Sequence, residues 1–322
     1  MRIAVLDDWQ GVARSSADWS PLIARAEVDF FEVPFANEDD AARQLAGYDI
    51  ILVTRERTPF PPSLVARLPA LKMFGLTGSR AGLIDLAGMS SRDITVCYTG
   101  GGPSVSSTAE MALGLMLAAA RHIPAGDAAV RAGRFQQGTH AGMLLDGKTI
   151  GLLGLGRIGA RMASYCRALD MRVLAWSQNL TPEKATAAGA THTSKEELLA
   201  ASDVVSLHLV LSDRTRGILG AAELALMKPG AILVNTSRAP LVDESALLAA
   251  VQSGRIVAAL DVYYREPLPP GHPFTRASNT VLTPHFGYGV VEVFDEYYAQ
   301  SVENAIAFLD GKPIRVLTSA GH

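Results

Sequence analysis

Arg238, Glu266 and His285 each stand just beyond an apolar run, in the segments 234–243, 261–269 and 282–287. Their side chains carry different chemistry. A forked guanidinium stays charged and can grip a carboxylate in two places. An imidazole can give or take a proton near neutral pH, and a carboxylate on its other nitrogen fixes the tautomer. Taken singly, each residue has an ordinary structural alternative. Arg238 could make a surface ion pair, Glu266 could cap a turn before Pro267, and His285 could be a satisfied loop residue after Pro284.

A second constellation is Gly154, Gly156 and Gly159 in the pattern G-x-G-x-x-G, with Arg157 and Ile158 between the last two. The pattern alone is weak, but its context is specific: residues 148–153 read as a strand and 160–169 as a helix. The first glycine permits a tight turn, and the second lets backbone approach a pyrophosphate. The third lets helix and strand pack closely, and the helix N-terminus presents free N–H groups and a positive dipole to the phosphates. An adenosine ribose would meet the end of the next strand, where NAD sites often place Asp or Glu. Here Ser177 and Gln178 stand at that point. No charge there repels a 2′-phosphate, no arginine follows at once to greet one, and Lys184 is nearby in sequence. NAD and NADP both remain open, with relaxed discrimination expected.

These residues need a scaffold of strands and helices, and the apolar patterning supplies one. Short aliphatic runs at 2–6, 28–33, 49–54, 71–76 and 94–98 read as strands of a first domain. Runs at 149–155, 172–176, 204–209, 231–236, 256–262 and 280–283 read as strands of a second. Near-continuous Val, Ile and Leu, without polar alternation, predict strands covered on both faces. Helix signals fall between them. Ser194 with Glu197 forms a capping-box pattern, and residues 243–251 read as a helix that ends near Gly254. Alternating strands and helices imply parallel sheets with right-handed crossovers. The fold class expected is α/β, with two parallel-sheet domains of Rossmann or flavodoxin type. At about 150 residues per domain, 322 residues suit two. Long helices at 109–121 and 290–309 are expected to bridge them, and Gly100, Gly101 and Gly102 before Pro103 form a hinge candidate. The expected layout inserts a nucleotide domain, 102–288, into a discontinuous substrate domain, 1–101 with 289–322.

Composition removes several other readings. Apolar residues make up 48% and charged residues 19%, so large cores can form and wholesale disorder is excluded. A net charge of −3 gives no global case for nucleic acid or an anionic membrane. Cys97 and Cys166 cannot build a disulfide framework or a cysteine-rich metal site. The histidines show no metal-ligand spacing, so no metal is expected. No G-x-S-x-G turn points to a serine hydrolase. Residues 111–120 fall short of a membrane span and no signal-peptide pattern opens the sequence, so a cytoplasmic location is expected.

With the segments GSRAGLID at 78–85, STAE at 107–110 and DVVSLH at 203–208, the ordered set of motifs resembles the D-isomer-specific 2-hydroxyacid dehydrogenase family over nearly the whole chain. That family includes glyoxylate/hydroxypyruvate reductases and phosphoglycerate dehydrogenases. The resemblance implies NAD(P)-dependent interconversion of a small 2-oxo acid and its D-2-hydroxy acid. It implies that Arg238 binds the substrate carboxylate and carbonyl. His285 and Glu266 become the acid/base pair. Thr108, Thr236 and Asp261 would line the nicotinamide pocket, with His208 at a cofactor-contacting strand end. The backbone of Thr77, Gly78 and Ser79 would bind the substrate carboxylate, and Arg57, with Arg55 beside it, could contact substrate. A homodimer is implied, through residues 109–121 and the segment after them.

The chain departs from the family pattern in three places. Val210 replaces a common proline after His208, Ala239 replaces a common glycine after Arg238, and Ser177 replaces the acidic ribose ligand. The first two bear on loops near the cofactor and the third on NAD against NADP. The superfamily also contains non-catalytic nucleotide-sensing corepressors, against which the intact Arg238, Glu266 and His285 set argues. Its formate dehydrogenases carry glutamine where Glu266 stands, which disfavours formate or phosphite oxidation.

Overall fold

In the computed structural model, residues 1–78 and 84–317 are described. The chain divides into two compact units, Met1–Pro103 with Gly289–His322, and Ser104–Tyr288.

The first unit holds β1 (Arg2–Val5), β2 (Glu27–Phe30), β3 (Ile50–Val53), β4 (Met73–Leu76) and β5 (Thr95–Tyr98), all parallel, in the order β2-β1-β3-β4-β5. That is the flavodoxin-like order of a doubly wound sheet. The central strands explain themselves: every residue of Ile50–Val53 and of Met73–Leu76 is buried, as helices on both faces require. The helix Val291–Leu309 packs on β4 and β5, and Asn304 Nδ2 donates to Tyr98 O at 3.0 Å. Residues beyond it extend the sheet edge, with Tyr98 N donating to Arg315 O and Leu317 N to Val96 O.

The second unit holds β6 (Thr149–Leu153), β7 (Arg172–Trp176), β8 (Thr191–His192), β9 (Val204–Leu207), β10 (Ala231–Asn235), β11 (Ile256–Leu260) and β12 (Thr280–Leu282). All are parallel, in the order β12-β11-β10-β9-β6-β7-β8. This extends the 3-2-1-4-5-6 order of a dinucleotide-binding sheet by one strand. Alternate residues feed two cores, Leu233 into one and Ile232 with Val234 into the other. The helix Ser104–Ala120 lies on β10, β11 and β12 and against the helix Arg157–Ala168. Thus each of the two long helices is packed on the sheet of its own unit.

The α/β expectation holds, and the differences are local. The run at 28–33 becomes β2 at Glu27–Phe30, because it pairs residue for residue with Arg2–Val5 and leaves Val33 exposed. β6 stops at Leu153 because Gly154, at φ +103°, leaves the extended conformation. The first long helix begins at Ser104, directly after Pro103. β8, only two residues long and without an apolar run, gave no sequence signal. The capping box forms as read, with Glu197 N donating to Ser194 Oγ and Ser194 N to Glu197 Oε2. Asp243 caps the helix Glu244–Gln252, and Gly254 follows at φ +72°. Both cysteines are buried, and burial pushes their thiols well above the usual range. Among the described residues no helix is long and apolar enough to cross a membrane.

Just beyond β1, Asp7 sits at φ +64° with 3% of its surface exposed. Oδ1 accepts a hydrogen bond from Thr58 Oγ1 at 2.6 Å, while Oδ2 is buried without a partner among the described residues. Burial pushes its carboxyl up from 3.8 to about 6. The unfolded chain therefore loses this proton first as pH rises. The native state is penalised progressively between the two values, and ionised Asp7 costs stability above them. Asp7→Asn, which suits a left-handed backbone, is expected to raise the unfolding free energy by on the order of 1–3 kcal/mol at pH 7.5. It should change little at pH 3.5, where both side chains are neutral. Urea titrations at the two pH values check this, and an equal effect at both would contradict a buried charge.

Candidate active site

The carboxyl ends of β10, β11 and β12, adjacent in the sheet, bring the turns that carry Arg238, Glu266 and His285 to one edge of the second unit. Asp261, the first residue after β11, is 1% exposed. Its Oδ1 accepts from Thr283 Oγ1 at 2.5 Å and from Phe286 N at 2.9 Å, and its Oδ2 accepts from Gly287 N at 2.8 Å. These bonds bracket His285 on both sides. The far end of the loop is tied to the first helix of this unit, where Ser107 Oγ donates to Gly287 O at 2.7 Å. Tyr263 adds a clamp: its hydroxyl donates to Leu260 O and Thr283 O at 3.2 and 2.9 Å. Burial, then the charges of Asp261 and Glu266, holds that phenol above its usual range, so it stays a donor.

Within this frame His285 adopts φ +53°. Its Nδ1 lies 2.6 Å from Glu266 Oε2, and Glu266 Oε1 accepts from Tyr263 N at 2.9 Å. A carboxylate at Nδ1 places a proton there and leaves Nε2 for exchange. The imidazole is 23% exposed and the carboxylate 30%, so both are partly sheltered without being sealed off.

Arg238 lies three residues beyond β10. Buried Asn235 shapes its turn, with Oδ1 accepting from Ser237 N and Nδ2 donating to Arg238 O, each at 3.0 Å. Ser237 Oγ donates to Leu207 O of β9. The half-buried Arg238 guanidinium is held back on its own turn by Nη1 donating to Ser237 O at 2.5 Å. Asn235 and Tyr263 escaped sequence reading; a buried amide or phenol at a strand end is the only local trace of such a role.

The glycine turn shows three distinct demands. A Cβ on Gly154 would meet the His208 backbone at 2.7 Å, and one on Gly159 would meet Gly154 O at 2.1 Å. At Gly156 a Cβ would meet nothing within 4 Å. Gly156 is also the N-cap of the helix Arg157–Ala168, which lacks a side-chain cap. Arg157 and Ile158 form its first turn. An open backbone surface at an uncapped helix N-terminus is what a pyrophosphate requires. Two orphaned polar atoms occur just beyond the carboxyl ends of strands of the same unit. Thr236 Oγ1 and His208 Nδ1 are buried without a partner among the described residues. His208 Nε2 meets Ser206 Oγ at 2.9 Å, and burial lowers the ring to about 4, so it is neutral at pH 7. Thr108 Oγ1 donates to Ser104 O within its helix. The residues present thus fit a dinucleotide. Beyond β7, Ser177 and Gln178 line a cavity of about 230 Å³ whose other wall carries Val210 and Arg214.

The first unit holds the remaining expected substrate residues. Thr77 N donates to Val53 O and Gly78 N to Thr99 Oγ1, so both amides are already engaged. Ser79 lies outside the described residues. Arg57 donates through Nη1 to Asp7 O and through Nη2 to Gln10 Oε1 at 3.1 Å, with its guanidinium 4.7 Å from the Trp9 ring centroid. Arg55 lies across Gly78, where a Cβ would meet its guanidinium.

The glycine geometry separates two substitutions. Gly159→Ala is expected to destabilise the fold by about 1–3 kcal/mol through overpacking against backbone. Gly156→Val should leave thermal unfolding near that of the parent while lowering dinucleotide affinity more than about tenfold by filling the phosphate surface. Melting curves and calorimetric titration distinguish the two. Equal losses of stability would contradict this reading.

Residues 113–287 match the family model described as D-isomer specific 2-hydroxyacid dehydrogenase, NAD binding domain. A glyoxylate reductase from Aeropyrum pernix is 40% identical over 257 residues, covering 77% of this chain and 76% of that protein. A D-3-phosphoglycerate dehydrogenase from Archaeoglobus fulgidus is 36% identical over 280 residues, covering 87% and 53% respectively. The chain spans about half the length of the phosphoglycerate dehydrogenases it matches. The crystal structure of a phosphoglycerate oxidoreductase from Vibrio cholerae superposes with a TM-score of 0.91 at 36% identity, covering 97% of this chain and 99% of that one. Fold, glycine turn and matched residues agree, and this chain belongs to the D-isomer specific 2-hydroxyacid dehydrogenase family.

Proposed function

We propose that this chain reduces a small 2-oxo acid to its D-2-hydroxy acid, and runs the reverse oxidation, with NAD or NADP. The observation that carries the reading is the 2.6 Å pair of His285 Nδ1 and Glu266 Oε2, at the end of a sheet whose neighbouring strand presents Arg238. The bound dinucleotide supplies or accepts the hydride. Arg238 binds the substrate carboxylate and polarises the adjacent carbonyl. Glu266 keeps the proton on Nδ1, so His285 Nε2 hands a proton to the carbonyl oxygen in reduction and takes one from the hydroxyl in oxidation. Thr236 and His208, with their orphaned atoms, serve the dinucleotide pocket. Asp261 spends its oxygens on the His285 loop and so positions the histidine as well.

The working form in this reading is a cytoplasmic homodimer. Ile123, Val130, Phe135 and Leu144 are more than half exposed on the segment following the first helix of the second unit, and they form its apolar contact. A light-scattering mass near twice 34.1 kDa supports this and a mass near one chain rejects it.

Turnover tests the chemistry. Consumption of NADH or NADPH is measured over glyoxylate, hydroxypyruvate, pyruvate and bulkier 2-oxo acids. His285→Ala is expected to lower kcat by about 10²–10⁴ while dinucleotide binding survives. Retained turnover in that variant would refute the assignment. Failure of the parent on every acid, with dinucleotide bound, would favour a nucleotide-sensing binding module.

A further inference from the structure

We infer that this chain selects NADP(H) over NAD(H), with Arg214 as the ligand of the 2′-phosphate. The inference rests on the dinucleotide reading above and adds a choice that the sequence left open.

Trp176, at the end of β7, is followed by Ser177, Gln178 and Asn179, none of them acidic. A carboxylate here would bond the ribose 2′-hydroxyl and repel a 2′-phosphate. A hydroxyl and two amides carry no charge to repel a phosphate, and they offer neutral donors to its oxygens. The cation missing from this strand end arrives from elsewhere. The cavity of about 230 Å³ beyond β7 is closed on its other side by the segment after β9, which contributes Arg214. β7 and β9 flank β6 in the sheet, so residues 36 apart in sequence come to face each other. Gln178 Nε2 donates to Arg214 O at 3.4 Å and links the two walls directly.

The segment that carries Arg214 is stiffened from within. Thr215 Oγ1 donates to Val210 O at 2.7 Å and accepts from Ser212 N at 2.8 Å. Arg214 therefore stands on a preformed turn, which lowers the ordering cost of binding. Its side chain is exposed and makes no ion pair among the described residues. No residue lining the cavity is acidic, and Arg214 is its single cation. Asp213 precedes Arg214 on the exposed side of the turn and does not line the cavity. Arg216 serves another place, beside Tyr264. An arginine on the wall opposite neutral donors, in a cavity lined by no carboxylate among the described residues, is complementary to a phosphate dianion.

Calorimetric titration of the full chain without substrate tests this, using adenosine 2′,5′-bisphosphate against 5′-AMP and NADP against NAD, at one fixed low salt. The 2′-phosphorylated member of each pair is expected to bind at least about tenfold tighter. Arg214→Ala should bring both ratios close to one. Ser177→Asp should invert the NADP to NAD ratio by restoring the carboxylate. Equal affinities in the parent, or an advantage that persists in Arg214→Ala, would overturn the inference while leaving the dinucleotide site in place. Absence of binding by all four ligands, in protein with an unchanged melting curve, would overturn the dinucleotide reading itself.

Discussion

The site in the second unit depends on one buried carboxylate. Asp261 is almost without solvent, and such a charge is costly unless its oxygens are satisfied. Thr283 Oγ1 and the amides of Phe286 and Gly287 satisfy them, and in doing so they draw the chain after β12 around the end of β11. That path sets the left-handed backbone of His285 and brings its ring onto Glu266. The carboxylate that touches the histidine gives it a tautomer. The carboxylate that does not touch it gives it a location.

The same economy recurs along the sheet. Two of the turns are fixed by a polar side chain that reaches back to main chain, Asn235 under Arg238 and Tyr263 under the histidine loop. Parallel strands make this possible, because all of them deliver their carboxyl ends to one edge. The cores below are aliphatic and packed on both faces, so they carry stability while the edge carries polarity.

Much of this was legible from sequence where the signal is local. Gly154, Gly156 and Gly159 lie within six residues, so the pattern states its own geometry. The capping box of Ser194 and Glu197 is similarly self-contained. Apolar runs located eleven of the twelve strands among the described residues, and the miss was β8, two residues without a pattern. Pairings set by the folded sheet were not legible. Asp261 meets Phe286 across 25 residues, and Gln178 meets Arg214 across 36, through a strand that belongs to neither segment. The amides of Thr77 and Gly78 show the converse. A motif can suggest free donors, but only the fold reveals that Val53 O and Thr99 Oγ1 already accept from them.

The division of the first unit between the two ends of the chain has a consequence for synthesis. Its sheet is closed by the helix Val291–Leu309 and by residues 315–317 at the β5 edge, all of which follow the second unit. On the ribosome, residues 104–288 are complete before that helix emerges. The inserted unit, with every strand of its sheet in hand, can fold while the first unit still lacks a cover for β4 and β5. The first unit can therefore be completed only after the whole inserted unit has been made, and until then the face of its sheet that this helix covers stays open.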